Sequence, residues 1–216
     1  MKRRSSLAYA YVTPTRSIRA LAPGELVFVT GGNGSGKTTL AKLLCGLYVP
    51  SSGELRLDGV AVSDATREAY QGLLSVVFSD GHLFERVHGV LPSTLEREGA
   101  RLLRMMKLEG VVRIEDGVFS TTDLSAGQRK RLALVVALLQ DRPAYLLDEW
   151  AAEQDPGFRQ TFYEEVLPAL RAAGKTVVLV THDDRWFDTA DRIVHLAEGK
   201  VARVTRGRAA ERSCVS

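Results

Sequence analysis

Gly31-Gly32-Asn33-Gly34-Ser35-Gly36-Lys37-Thr38 is the stretch that decides how this chain folds. A Gly, four residues and then Gly-Lys-Thr form a phosphate-binding loop when a strand enters the run and a helix leaves it. Both flanks are present: Leu26-Val27-Phe28-Val29 is a short apolar run that predicts a buried strand, and Thr38 to Leu47 carries apolar residues at helical period. A strand that enters a Gly-rich turn and opens a helix points several backbone N–H groups and the positive helix pole at one spot, where a triphosphate can sit. Gly31, Gly32, Asn33, Gly34, Ser35 and Gly36 would build that cradle, with Thr39 in the first helical turn. Lys37 would reach the β- and γ-phosphates, and the Thr38 hydroxyl would hold Mg²⁺.

Two further apolar runs end in chemistry. Ala144-Tyr145-Leu146-Leu147 leads into Asp148-Glu149, and its apolar continuity suits a strand buried on both faces of a parallel sheet. The carboxyl end of such a strand delivers both carboxylates beside the phosphate loop. Asp148 would face the magnesium and Glu149 would polarise an attacking water. Thr176-Val177-Val178-Leu179-Val180 predicts a third strand, running into Thr181-His182. A His at that strand end can donate a hydrogen bond to the γ-phosphate and sense whether it is there.

Leu124-Ser125-Ala126-Gly127-Gln128 sits between these elements, and it resembles the signature motif of the ABC ATPases, with Ala126 where the common form has Gly. Phosphate loop, signature, acidic strand end and His stand in the order of that family. The resemblance implies an α/β, P-loop NTPase fold with a mainly parallel catalytic sheet, an early antiparallel β part and an inserted helical lobe. It also implies a dimer, because in that family the signature of one subunit closes over the ATP held by the phosphate loop of another. Ser125, Ala126, Gly127 and Gln128 would therefore bind ATP across the subunit boundary. Tyr11 lies where ABC proteins place an aromatic residue that stacks on adenine; the lesser alternative is a strand residue packing inward.

The match extends beyond these motifs. Phe78-Ser79-Asp80-Gly81-His82-Leu83-Phe84, Asp148-Glu149-Trp150-Ala151-Ala152-Glu153-Gln154-Asp155-Pro156 and Thr181-His182-Asp183-Asp184-Arg185 resemble the nucleotide-binding half of cyclic-peptide and siderophore-precursor exporters. That resemblance places the D-loop aspartate at Asp155. It implies the ATP-hydrolysing motor of an exporter of cyclic peptides or peptide-like secondary metabolites, peripheral on the cytoplasmic face of the inner membrane. Its transmembrane domain would lie on another chain or on a part of the protein outside this sequence. The alternatives are the motor of a general drug or lipid exporter and a soluble ABC ATPase; the latter lacks support, since no sustained heptads separate phosphate loop from signature. One departure concerns the usual ABC glutamine, whose position falls on Ser79 beside Asp80. Either side chain could bind magnesium-bound water, or both could cap a turn.

Composition agrees with a single module. At 216 residues and 45% hydrophobic, the chain can bury one substantial core. The longest apolar run, Leu132 to Leu139, falls far short of the ~20 residues that span a bilayer. Basic Met1-Lys2-Arg3-Arg4 is not followed by an apolar secretory stretch, which argues against export. Cys45 and Cys214 suggest neither a metal site nor a disulfide framework. A net charge of +3 is too mild to argue for nucleic acid. The motifs divide one domain, residues 1–206, into a catalytic lobe over about 1–88 and 141–206 and a helical lobe over about 89–140. A frayed tail follows. Met105 and Met106 read as core, and Ile193 to Val201 as a closing hairpin. Trp150 either screens the site from water or fills space.

Overall fold

The computed structural model describes residues 21–80 and 82–207. Tyr11, the basic N-terminus, Cys214 and the tail from residue 208 lie outside the described residues.

In chain order, β1 (Leu26–Gly31) runs into α1 (Lys37–Leu44), and a small hairpin of β2 (Arg56–Leu57) and β3 (Val60–Ala61) follows. Next come α2 (Asp64–Gln71), β4 (Leu74–Val77) and α3 (Pro92–Met105). A second hairpin, β5 (Ile114–Glu115) and β6 (Val118–Phe119), precedes α4 (Ala126–Gln140) and β7 (Ala144–Asp148). A 3-10 turn over Trp150–Glu153 leads to α5 (Pro156–Thr161), a π turn over Phe162–Val166, and α6 (Leu167–Ala172). The chain closes with β8 (Thr176–Val180), a 3-10 turn over Asp184–Thr189, β9 (Arg192–Ala197) and β10 (Lys200–Arg206).

The sheet order is β10-β9-β1-β8-β7-β4, parallel throughout except for β10. This is the expected α/β architecture. Alternation along each strand divides the interior into two cores. Leu26 and Phe28 pack on one face with Tyr145, Leu147, Val177 and Leu179. Val27 and Val29 pack on the other with Leu146, Val178 and Val180. Helices α3 to α6 cover the first face and α1 and α2 the second, so β1, β7 and β8 are buried on both sides.

Three elements differ from the sequence expectation. α1 ends at Leu44, not Leu47, because Gly46 turns left-handed at φ 70°. Tyr70 donates its hydroxyl to the Leu44 carbonyl and closes that end, leaving Leu47, Tyr48 and Val49 exposed. α4 starts at Ala126, three residues before the helical stretch that the sequence predicts over Arg129 to Leu139, because Ser125 and Gln128 form a reciprocal capping box. The helical lobe expected over about 89–140 also contains the β5–β6 hairpin, whose Asp116-Gly117 turn has two positive φ angles. The closing hairpin is present as β9–β10.

Trp150 fills space, as one of its two sequence readings held. It is fully buried, stacks on Phe162 at 4.3 Å between ring centroids, and donates its indole N–H to the Lys130 carbonyl at 2.8 Å. The π turn that carries Phe162 has a local cause: Pro168 has no N–H to give to Glu164. Met106 is fully buried and Met105 packs against the same core. Trp150→Ala should cost about 3–5 kcal/mol and Trp150→Phe clearly less, since Phe keeps most of the packing. Urea unfolding midpoints of the two variants check this order.

Candidate functional site

The loop between β1 and α1 is built for an anion. Gly31 approaches its neighbours so closely that a Cβ there would lie 2.3 Å from the Leu196 carbonyl oxygen and 2.6 Å from Ser35 Oγ. Gly36, at φ 95°, is the N-cap of α1, and no side chain caps the helix. No acidic residue stands in its first turn either. The first N–H groups of a helix have no partner within it, so the positive pole at Lys37, Thr38 and Thr39 is open. Gly32, Asn33 and Gly34 are exposed along the outer rim, whereas Ser35 and Lys37 are tucked inside. The loop is braced from β9–β10, where Gly199 donates its N–H to the Ser35 carbonyl at 3.0 Å.

Lys37 is buried and gives two hydrogen bonds to the loop, to the carbonyls of Gly31 at 2.9 Å and Gly32 at 3.1 Å. Its Nζ also lies 4.0 Å from Glu149 Oε1. The same carboxylate oxygen is 3.1 Å from His182 Nε2. The first residue of α1, reached from β1 through the loop, and the residues that follow β7 and β8 thus meet at one carboxylate. Two backbone bonds set this up: Glu149 N–H donates to the Val180 carbonyl and Thr181 N–H to the Val29 carbonyl, both at 3.0 Å. Glu149 itself is left-handed, φ 50° and ψ 34°, a conformation that costs a non-Gly residue about 1–2 kcal/mol. Backbone strain of this kind is held by its surroundings and turns the side chain off the strand's course.

Asp148 is fully buried, and neither of its carboxylate oxygens has a hydrogen-bond partner. Burial pushes its pKa up, and the neighbouring Glu149 charge adds to the rise; Thr38, Lys130 and Lys37 pull it back. A buried carboxylate with both oxygens free, close to a hydroxyl, suits a hard divalent cation that takes its other ligands from phosphate and water. The residues present therefore fit Mg²⁺, with Asp148 and Thr38 as the protein's contribution.

The signature residues occupy the start of α4. Ser125 Oγ accepts from Gln128 N–H at 3.3 Å, while Ser125 N–H donates to Gln128 Oε1 at 3.0 Å. Ser125 and Ala126 are exposed, which leaves this helix pole open to solvent. Gly127 has a reason inside its own chain: a Cβ there would lie 2.8 Å from the Glu153 carbonyl oxygen. Asp155 is exposed and caps α5 by accepting from Phe158 N–H at 2.8 Å; that bond holds its pKa below the usual carboxylate range. Ser79 and Asp80 follow β4, and Asp80 accepts from His82 N–H at 3.3 Å, the contact of a capped turn.

Three participants escaped the sequence reading. Lys130 is buried, donates to the Glu149 carbonyl at 3.1 Å, and lies 3.4 Å from Glu153 Oε1. Gln154 is buried and donates to the Gly127 carbonyl at 3.1 Å. Tyr163 shares a 2.8 Å hydrogen bond with Thr181, just before His182. Of these only Lys130 left a signal: at helical spacing it shares a face with Leu134 and Ala137, both buried.

Comparison with known proteins places this geometry. A family model described as "ABC transporter" matches residues 19–152. The chain is 56% identical to the "ATP-binding protein SyrD" of Pseudomonas syringae pv. syringae over 82% of its own length and 32% of that protein. It is 35% identical to the "ATP-dependent lipid A-core flippase" of Burkholderia thailandensis, over 84% of the chain and 32% of the flippase. The chain thus spans about a third of the length of these relatives. Among solved structures, the dimeric post-hydrolysis ATP-binding cassette MJ0796 bound to ADP and Pi superimposes with a TM-score of 0.73 at 24% identity. That superposition covers 94% of this chain and 97% of the other, and shows a shared fold.

The burial of Asp148 carries a pH signature. Its raised pKa means that the folded chain holds the proton more tightly than the unfolded chain does. The charged form is therefore penalised above the raised value, and the penalty fades as pH falls through that value toward about 4. With chelator and without nucleotide, Asp148→Asn should melt at a higher temperature than the parent at neutral pH, and the gap should close on acidification. Thermal melts at stepped pH check both parts.

Proposed function

The chain belongs to the ABC transporter family as one of its ATPase domains, and we propose that it is the motor of an exporter, working as a dimer at the cytoplasmic face of the membrane. The observation that carries this is the meeting of Lys37, Glu149 and His182 at the ends of three adjacent parallel strands, above the open pole of α1. No helix among the described residues is long and apolar enough to cross a membrane, so the transported molecule passes through a domain that these residues do not form.

In this reading Gly31 to Thr39 grip the triphosphate through backbone N–H groups, and the Lys37 ammonium pairs with its β- and γ-oxygens. Asp148 and Thr38 would hold Mg²⁺, which would supply charge neutralisation to the phosphates. Glu149 is the general base: it takes a proton from water as the water oxygen bonds the γ-phosphorus and the bond to the bridging oxygen breaks, releasing ADP and phosphate. His182, within hydrogen-bonding distance of Glu149, orients that carboxylate and donates to the γ-phosphate. Ser125, Ala126, Gly127 and Gln128 present the pole of α4 to the ATP of a second subunit, and Asp155 stands on the surface beside that seam. Tyr11 stacks on adenine. Ser79 or Asp80 would stand in the place of the usual glutamine and report the site to the membrane domain; the alternative is that both only cap the turn.

Cargo is assigned by resemblance. The Asp148-to-Pro156 and Phe78-to-Phe84 segments resemble the motors of cyclic-peptide exporters, and the identity to a lipid A-core flippase, 35%, is well below the 56% to SyrD. A cyclic peptide or peptide-like secondary metabolite is therefore the proposed substrate. The flippase likeness makes a lipid the second reading.

Glu149→Gln should keep ATP affinity and lose about 10² to 10⁴ in turnover, whereas Lys37→Ala should lose affinity itself. Phosphate release and calorimetry separate the two. For cargo, the ATPase of the complete transporter in vesicles should rise with a cyclic peptide and stay flat with added lipid A; the reverse response would transfer the assignment to lipid.

A further inference from the structure

α4 is built of two unlike halves. Its second half buries Leu132, Leu134, Val135, Ala137 and Leu139, an apolar set that any hydrophobic helix could supply. Its first half buries a full positive charge, Lys130, whose side chain is 3% exposed. Burying an ammonium costs several kcal/mol unless nearby groups compensate it, and a Met of similar length would fill the same space without that cost. The compensation comes from the Glu149 carbonyl at 3.1 Å, the half-exposed Glu153 carboxylate at 3.4 Å and the charge of the buried Asp148 carboxylate.

What the ammonium grips is the strained residue. Glu149 is left-handed with its peptide groups held at three points: its N–H bonds to β8 at Val180, and its carbonyl accepts from Ala152 N–H at 3.3 Å within the following 3-10 turn and from the Lys130 ammonium, the one hold that comes from α4. The same turn of α4 is stitched twice more to the segment after Glu149. Trp150 donates to the Lys130 carbonyl, and Gln154 donates to the Gly127 carbonyl. The segment cannot relax around the charge, and a rotation of the Glu149 peptide would break the Lys130 bond.

We propose that Lys130 is a positioning residue: by holding the Glu149 carbonyl it fixes the direction of the Glu149 side chain, and so makes the angle of that carboxylate depend on the seating of the first turn of α4. The inference rests on Glu149 being the base. Its consequence is a link within one chain between two regions that serve different nucleotides in a dimer. The α4 pole faces the partner's ATP and Glu149 faces the chain's own, so a shift of α4 reaches the base through the ammonium that holds its carbonyl, with the Trp150 and Gln154 bonds carrying the flanking segment along.

Lys130→Met, made in the complete transporter, should lower kcat about tenfold or more while KM for ATP, and ATP affinity by calorimetry, stay within about twofold. Lys130→Arg, which keeps a cationic donor, should recover most of that kcat. In single-turnover assays with γ-labelled ATP, Lys130→Met should cost little further in a Glu149→Gln background, because a residue that acts through Glu149 has nothing left to position. If Lys130→Met does not fold, Lys130→Gln carries the same comparisons. Wild-type kcat in the Met variant would overturn the proposal, as would a full additional loss in the Glu149→Gln background, or a loss that tracks the unfolding midpoint and that Arg does not recover. Full turnover in Glu149→Gln alone would instead remove Glu149 as base and leave the contacts of Lys130 as packing.

Discussion

The parallel register of β1, β8 and β7 is the constraint on which the rest of the molecule depends. Val29 pairs with Val180, and Val180 pairs with Asp148, so three carboxyl ends stop at one level. The ladder then continues one step past the strands, through Glu149 to Val180 and Thr181 to Val29. Those two bonds set where Glu149 and His182 begin. A slip of one residue in either pairing would turn Asp148 out of the interior and carry Glu149 away from Lys37, because successive strand residues face opposite sides. The two apolar cores prevent it: each strand contributes residues to both faces, and a slip would exchange them.

The site concentrates buried charge, which is why the surrounding fold is stiff. Lys37, Asp148 and Lys130 are all nearly inaccessible, and Lys37 and Lys130 both favour the ionised form of Asp148. Yet neither Asp148 oxygen is satisfied. An unpartnered buried carboxylate is a cost that folding must carry, and a cation with nucleotide oxygens around it would relieve that cost. The geometry is arranged for a charged ligand, and the aromatic block of Trp150, Phe158, Phe162 and Tyr163 behind it supplies the packing that holds the arrangement together.

Much of this was legible in the chain itself. The phosphate loop, the acidic strand end and the His at a third strand end were readable because strand, turn and functional residue are contiguous in each case. The reading stumbled where local signals compete. Apolar period alone carried α1 past Gly46, although a left-handed Gly ends a helix. The Asp116-Gly117 turn was swallowed by a helix-rich stretch for the same reason. Asp80 accepts from His82 N–H in its own turn, a contact compatible with either of its two roles.

Sequence alone determined the kind of machine: residues adjacent in the chain make the loop, the capped signature helix and the strand ends, and their chemistry follows from that adjacency. Tertiary structure alone decided how these parts bear on one another. Lys130 and Glu149 are joined only because α4 packs across the end of β7, and Gly127 must be Gly only because Glu153 comes back against it. Contacts between residues far apart in the chain depend on the packing of whole elements, and no local pattern records which side chain will end beneath which carbonyl.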